Sequence, residues 1–257
     1  MEKIKFFLKF GKKEHLKDLL NHQLYFNNAI ALRGIEEDLK RKGQGDRLEG
    51  STKLFATDST IISHDGTQEI HGLKGQFTIH FEPANNIPVF CLFSVYEKDC
   101  SIGEDGTYTI SLSDEIKHVI REHFPEANAV VVITDPDLFL HEIEDSIGVN
   151  CKMEQVHYFN IESGLEVKGS NTPAMDMEYM KYLTQDIVPT QEGKMKKYSV
   201  MVEHVFRSLF CKDVFFKGEQ EFRILLPDTR IDKAKKYSVH FSEELDIYDL
   251  DSFLESH

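Results

Sequence analysis

The chain has 257 residues, 40% of them hydrophobic, and a formal net charge of -14. That length and apolar content suffice for one sizeable core, so residues 1–257 are expected to form a single domain with insertions. The acidic balance repels a phosphate backbone, which excludes nonspecific nucleic-acid binding and suits either a soluble protein or one that docks onto a partner with a basic surface.

In chain order, residues 4–10 alternate lysine with apolar side chains and predict a short strand, and residues 12–20 place Leu16, Leu19 and Leu20 on one helical stripe. A second strand is predicted over residues 23–27. The charged, helix-prone stretch 30–42 breaks at Gly43-Gln44-Gly45 and is followed by Asp46-Arg47-Leu48-Glu49-Gly50. Thr60-Ile61-Ile62 and Glu69-Ile70-His71 flank Asp65-Gly66, a pair that tolerates the positive φ of a tight hairpin turn. Residues 76–81 and Val89–Tyr96 are the next strands. A helix over 113–124 with Ser113 as its cap follows, then a buried strand over 129–134. Asp135-Pro136-Asp137 opens another helix that runs to about residue 146.

Residues 152–159 read as one strand and 171–187 as a Met- and Tyr-rich helix. Residues 196–210 read as a helix with Tyr198, Met201, Val202, Val205 and Leu209 on one core stripe. After the strand at 221–226 come a turn at Pro227-Asp228, a strand over 237–241 and an acidic tail. The expected architecture is α+β, a curved, mainly antiparallel sheet with flanking helices.

Cys91, Cys100, Cys151 and Cys211 are too scattered for a disulfide framework or a metal knuckle, so reduced thiols and a cytoplasmic setting are expected. The first ten residues lack the apolar run of a signal peptide, and the longest aliphatic run, Ala129-Val130-Val131-Val132-Ile133, is too short to cross a bilayer, so no membrane association is expected. The histidines fall in no metal-ligand spacing, and no metal is expected. P-loop, dinucleotide-fold and nucleophile-elbow motifs are all missing from the sequence.

The strongest chemical signal is Glu219-Gln220-Glu221-Phe222-Arg223. In an extended strand, Glu219, Glu221 and Arg223 share one face, while Gln220, Phe222, Ile224 and Leu226 build the other. Two carboxylates beside a guanidinium either position a polar ligand or form an ion-paired strand edge. In the second case Lys235 or Lys236 neutralises the glutamates and Arg223 clamps another carboxylate such as Glu49. Asp46 and Glu49 lie three residues apart after a glycine-containing break, and Ser94 ends the apolar strand Phe90-Cys91-Leu92-Phe93-Ser94. Asp135 reads more simply as a helix cap than as a metal ligand.

Taken in order, these segments resemble a large uncharacterised bacterial family whose members often accompany phage-defence and mobile-element genes. The resemblance lies in Leu24-Tyr25-Phe26-Asn27, in the Asp46–Glu49 turn, in Cys91-Leu92-Phe93-Ser94, and in Lys212 followed by Glu219-Gln220-Glu221-Phe222-Arg223. The sequence departs from that pattern by lacking the turn's proline and asparagine, by having no tryptophan and by carrying Leu92 inside the Cys-Phe-Ser block. The segment from Glu219 to Pro227 also resembles the catalytic strand of the ADP-ribosyltransferases, which often runs on into Leu-Leu-Pro. That resemblance implies an ADP-ribosyltransferase-like fold with NAD as cofactor. It also implies Glu221 as catalytic carboxylate, Glu219 positioning the acceptor and Ser94 on the serine strand. Tyr25, Asn27, Asp46, Glu49, Lys212 and Arg223 are then candidate substrate-binding residues. Arg33 is the nearest candidate for that family's arginine, yet Arg33-Gly34 falls in an expected helix.

Three functions stay open on the sequence. One is an NAD-using transferase or glycohydrolase in phage–host conflict. The others are a noncatalytic acidic interaction protein and a module that senses a nucleotide ligand without turnover.

Overall fold

The computed structural model describes residues 2–39, 45–63, 65–169, 172–185, 190–192, 195–197 and 200–257. From the N-terminus come β1 (Ile4–Gly11), α1 (Lys13–Leu20), β2 (Gln23–Phe26), α2 (Ala29–Leu39), β3 (Ser51–Ile62), β4 (Glu69–His80) and β5 (Val89–Tyr96). Next are β6 (Cys100–Ile102), β7 (Tyr108–Ile110), α3 (Asp114–His123), β8 (Ala129–Ile133), α4 (Pro136–Ile147), β9 (Lys152–Gln155), β10 (His157–Phe159) and α5 (Met177–Leu183). The chain ends with β11 (Thr190–Glu192), β12 (Met195–Lys197), β13 (Cys211–Asp213), β14 (Glu221–Leu225), β15 (Lys235–Ser238), β16 (Ile247–Asp249) and α6 (Leu250–Ser256). The fold is α+β. Its centre is a six-stranded sheet in the order β16-β8-β1-β5-β14-β9, with antiparallel neighbours throughout.

Pleating assigns the faces of this sheet. Phe7, Phe90, Leu92, Val131, Phe222 and Ile224 point to one side, where Leu16 and Leu19 of α1 and Phe139 and Ile143 of α4 complete the main core. On the other side, Leu8, Phe93, Val95 and Val130 pack beneath Ile120 of α3 and Phe253 and Leu254 of α6. Val89 and Leu225 instead join Ala29 of α2 with Val205, Leu209 and Phe210. Between these two apolar clusters, on that second face, stand Cys91, Glu221 and Arg223. A polar island inside a sheet face requires partners from above it, and the flanking segments supply them.

Several local signals act as the residue types dictate. Ser113 Oγ accepts from Ile116 N at the start of α3, and Asp135 Oδ1 accepts from Leu138 N at the start of α4, with Gly148 in the left-handed conformation at its end. Ile61 pairs with Ile70 and Ile62 with Glu69 across the Asp65-Gly66 turn, where Gly66 has φ 69°. This hairpin is longer than expected, because the strand read at 76–81 is the second half of β4.

Other expectations are corrected. Residues 152–159 form two strands rather than one: β9 joins the main sheet, whereas β10 turns away after Val156 to pair in parallel with β13. The helix read over 196–210 is a 3-10 helix confined to Val202–Phe210; it buries Val205 and Leu209 but leaves Val202 65% exposed. Tyr198 lies outside the described residues. The helix read over 171–187 is only Met177–Leu183, and its expected ends at 171 and 187, like 40–42 of the helix read over 30–42, also lie outside them. The strand read at 237–241 occurs as β15, two residues earlier, and the acidic tail folds into β16 and α6. No helix among the described residues is long and apolar enough to cross a membrane.

Candidate functional site

Arg223 is the centre of the polar island and is only 1% exposed. A guanidinium offers five N–H donors in a planar fork, and here every donor is used. Nη1 and Nη2 reach Glu49 Oε1 and Oε2 at 2.5 and 2.9 Å, Nε and Nη2 reach Glu221 Oε1 and Oε2 at 2.8 and 3.1 Å, and Nη1 also donates to the carbonyl of Leu209. The clamp on Glu49 is the one that the sequence suggested. Lys235 and Lys236 play no part in neutralising the glutamates, since β15 pairs with β2 and Lys236 binds Asp18 at 2.8 Å. Lys212 fills that role, with Nζ 2.5 Å from Glu219 Oε2 and 3.2 Å from Glu221 Oε2.

Glu219 does not belong to the strand face assigned to it. It ends a 3-10 helix over Val214–Glu219 whose first turn is capped by Asp213 Oδ1, and Gln220 then takes a left-handed conformation at φ 43°. Such a conformation is unfavourable for a residue with a side chain, and hydrogen bonds from Gln220 Nε2 to the carbonyl of Ser94 and to Asp99 Oδ2 hold it in place. The kink lets Glu219 and Glu221 converge on one ammonium even though only Glu221 is in β14. The second oxygen of Glu219 meets His123 Nδ1 at 2.9 Å, and that imidazole stacks on Phe215.

Parallel pairing of β10 with β13 brings Tyr158 and Lys212 opposite each other beside this cluster, and Tyr158 Oη accepts from the backbone N–H of Glu221. For Glu221 the largest influence is burial, which favours the neutral acid, but Arg223 and Lys212 together outweigh it and hold the carboxyl well below the usual carboxylate range. Burial likewise pushes the Cys91 thiol far above its ordinary value, with the charge of Glu221 adding to the effect.

Asp46 behaves in the opposite way. Its Oδ1 accepts from Leu48 N at 2.8 Å, an Asx turn that continues through Glu49 N to Asp46 O into Gly50, whose φ of 60° starts β3. Oδ2 is buried and has no hydrogen-bond partner among the described residues. Burial first, and then the charge of Glu49, push this carboxyl up to about 7, against the weaker pull of Lys212 and Arg223. A carboxyl held near neutrality can donate or accept a proton at physiological pH.

Asp46, Glu49, Cys91, Lys212, Glu219, Glu221 and Arg223 line a cavity of about 230 Å³ together with Tyr25, Asn27 and Lys9. Of the residues singled out in the sequence, it gathers Tyr25, Asn27, Asp46, Glu49, Lys212, Glu219, Glu221 and Arg223. Ser94 is not among them: it pairs with Phe7 on the opposite face of the sheet and is fully buried there. Arg33 lies behind the site, where it donates to the carbonyl of Glu49 and to Asn85 Oδ1. Lys9, His123 and Tyr158 also contribute, and no local motif in the sequence marks any of them; Cys91 stood out there only as part of the Cys-Leu-Phe-Ser block. Among the described residues no three His, Cys, Asp or Glu side chains are grouped to hold a metal ion.

Scanned against known protein families, curated proteins and solved structures, the chain matches none of them.

Proposed function

We propose that the cavity is the active site of an NAD-using glycohydrolase or ADP-ribosyltransferase-like enzyme in which Asp46, rather than Glu221, carries the proton. The supporting observation is Oδ2 of Asp46, which has no hydrogen-bond partner among the described residues, on a carboxyl pushed up to about 7 inside a cavity also walled by Glu221, which Arg223 and Lys212 keep ionised. In this mechanism the C1′–N bond to nicotinamide breaks, its electron pair neutralises the pyridinium, and the ribosyl carbon becomes oxocarbenium-like. The fixed negative charges of Glu49 and Glu221, held by Arg223, face that developing positive charge. Ionised Asp46 takes a proton from the attacking water or acceptor hydroxyl, whose oxygen bonds to C1′. The exposed ring of Tyr25 at the cavity rim offers a stacking surface for a base.

Chromatographic detection of nicotinamide released from NAD tests the reading. Wild type should turn over with a rate that rises with pH through about 7, because Asp46 acts in its ionised form. Asp46→Asn should lose about 100-fold or more, and equal output from wild type, Asp46→Asn and Glu221→Gln would refute the assignment.

One observation favours a second reading, nucleotide sensing without turnover. All the oxygens of Glu49 and Glu221 are already engaged by Arg223 and Lys212, as in a rigid receptor floor. Calorimetry with a nucleotide panel that shows binding in the absence of nicotinamide release would select that reading.

A further inference from the structure

β1 and β5 are paired only from Ile4 and Tyr96 to Leu8 and Phe93. Beyond that point β1 stays with β8 as far as Gly11, while β5 stays with β14 as far as Val89, where Asn27 meets its edge again. Lys9 is the first residue past the split. Its ammonium crosses the gap to donate to the carbonyl of Cys91 at 2.6 Å and sits 4.5 Å from the ring centre of Phe90. Among the described residues no carboxylate forms an ion pair with it. The carboxylate whose field reaches it, Glu221, is already bound by Arg223 and Lys212.

On the other side of Lys9 lies a second cavity of about 390 Å³, which shares Lys9, Phe10 and Tyr25 with the first. Its remaining polar wall comes from His15, Gln23 and the Asp18–Lys236 pair, whose charges cancel at 2.8 Å. Leu16, Leu19 and Phe90 make the rest of the wall apolar. The unmatched positive charge therefore falls at the junction of the two spaces. An ammonium that gives up water for one carbonyl is poorly solvated, and an anion is the group that best completes its shell.

We propose that the two cavities form one bipartite site for a phosphorylated nucleoside, with Lys9 at the junction binding the phosphate. The glycosidic end lies beside Asp46 and the rest of the ligand lies against Leu16, Leu19 and Phe90. The orientation rests on the glycoside-cleaving reading given above; the phosphate contact does not. Burial lowers the pKa of Lys9 in the free protein, and a bound phosphate reverses that trend.

The test is equilibrium binding by calorimetry to wild type and Lys9→Met. The probes are nicotinamide mononucleotide, nicotinamide riboside and inorganic pyrophosphate. Lys9→Met should weaken the mononucleotide and pyrophosphate by about tenfold or more and leave the riboside unchanged. Lys9→Gln, checked for a native melting transition, provides a second variant if the methionine perturbs folding. Phosphate-selective loss without nicotinamide release would sustain the inference while sinking the catalytic reading. Equal loss for all three probes, no change in any, or no binding of phosphate-bearing probes to wild type at millimolar concentration would overturn it.

Discussion

Replacing Asp46 by asparagine should stabilise the protein in a pH-dependent way while removing the activity proposed for it. The carboxyl has an ordinary value of 3.8 and is pushed up to about 7 in the fold, so the folded state keeps the proton across an interval in which the unfolded chain has lost it. Stability from this group is therefore complete below 3.8 and declines as pH rises towards 7, because the folded state binds more protons than the unfolded one. At about 1.4 kcal/mol per pH unit, an interval of roughly three units corresponds to about 4 kcal/mol. The substituted amide retains an oxygen for Leu48 N but never ionises, so the variant escapes this penalty. Urea denaturation of both proteins at about pH 4, 6 and 8 measures the gap. The variant should gain on wild type steadily between the first and last conditions, by about 2 to 4 kcal/mol, and the gap should level off above neutrality. A gap constant within about 0.5 kcal/mol, or one that shrinks as pH rises, would refute the environment assigned to Asp46.

Arg223→Met strands Glu49 as a buried charge, while Glu221 keeps Lys212, and should cost about 3–5 kcal/mol by thermal or urea melting; adding Glu49→Gln should recover most of that loss. Burial raises the thiols of Cys91 and Cys211, and pushes Cys151 up to about 11, so all three should react far more slowly with a thiolate-directed reagent at about pH 8 in the native protein than in urea. Asp135→Ala removes the cap that accepts from Leu138 N and should lower stability by about 1 kcal/mol without altering ligand binding; a loss of binding in a folded variant would contradict the capping role.

Much of this protein was legible where short-range physics decides. The strand Val89–Tyr96 is a continuous run of apolar and β-prone residues and occurs with those bounds. The caps Ser113 and Asp135, the Asp65-Gly66 turn and the alternation of β1 follow from donor geometry and backbone freedom that each segment carries by itself. Failures came where a segment's partner lies far away in sequence. Residues 152–159 are uniformly strand-prone, yet they split because β14 and β13 claim successive pieces. Glu219 fits a strand by spacing, but the left-handed Gln220, secured by Ser94 and Asp99, ends that register.

The sequence by itself determined that Glu219, Glu221 and Arg223 concentrate charge within one short segment, and it offered Glu49 as one partner for Arg223 while leaving a ligand site open, because residue spacing sets which charges lie close together but not what they meet. Only the tertiary structure decided the chemistry of that charge. Burying Arg223 and Lys212 over Glu221 fixes that residue as an ionised carboxylate, and Asp46, on a turn remote in sequence, is desolvated beside Glu49 until it holds a proton near neutrality. Desolvation and long-range charge depend on which segments are stacked together, and no local pattern of residues encodes that.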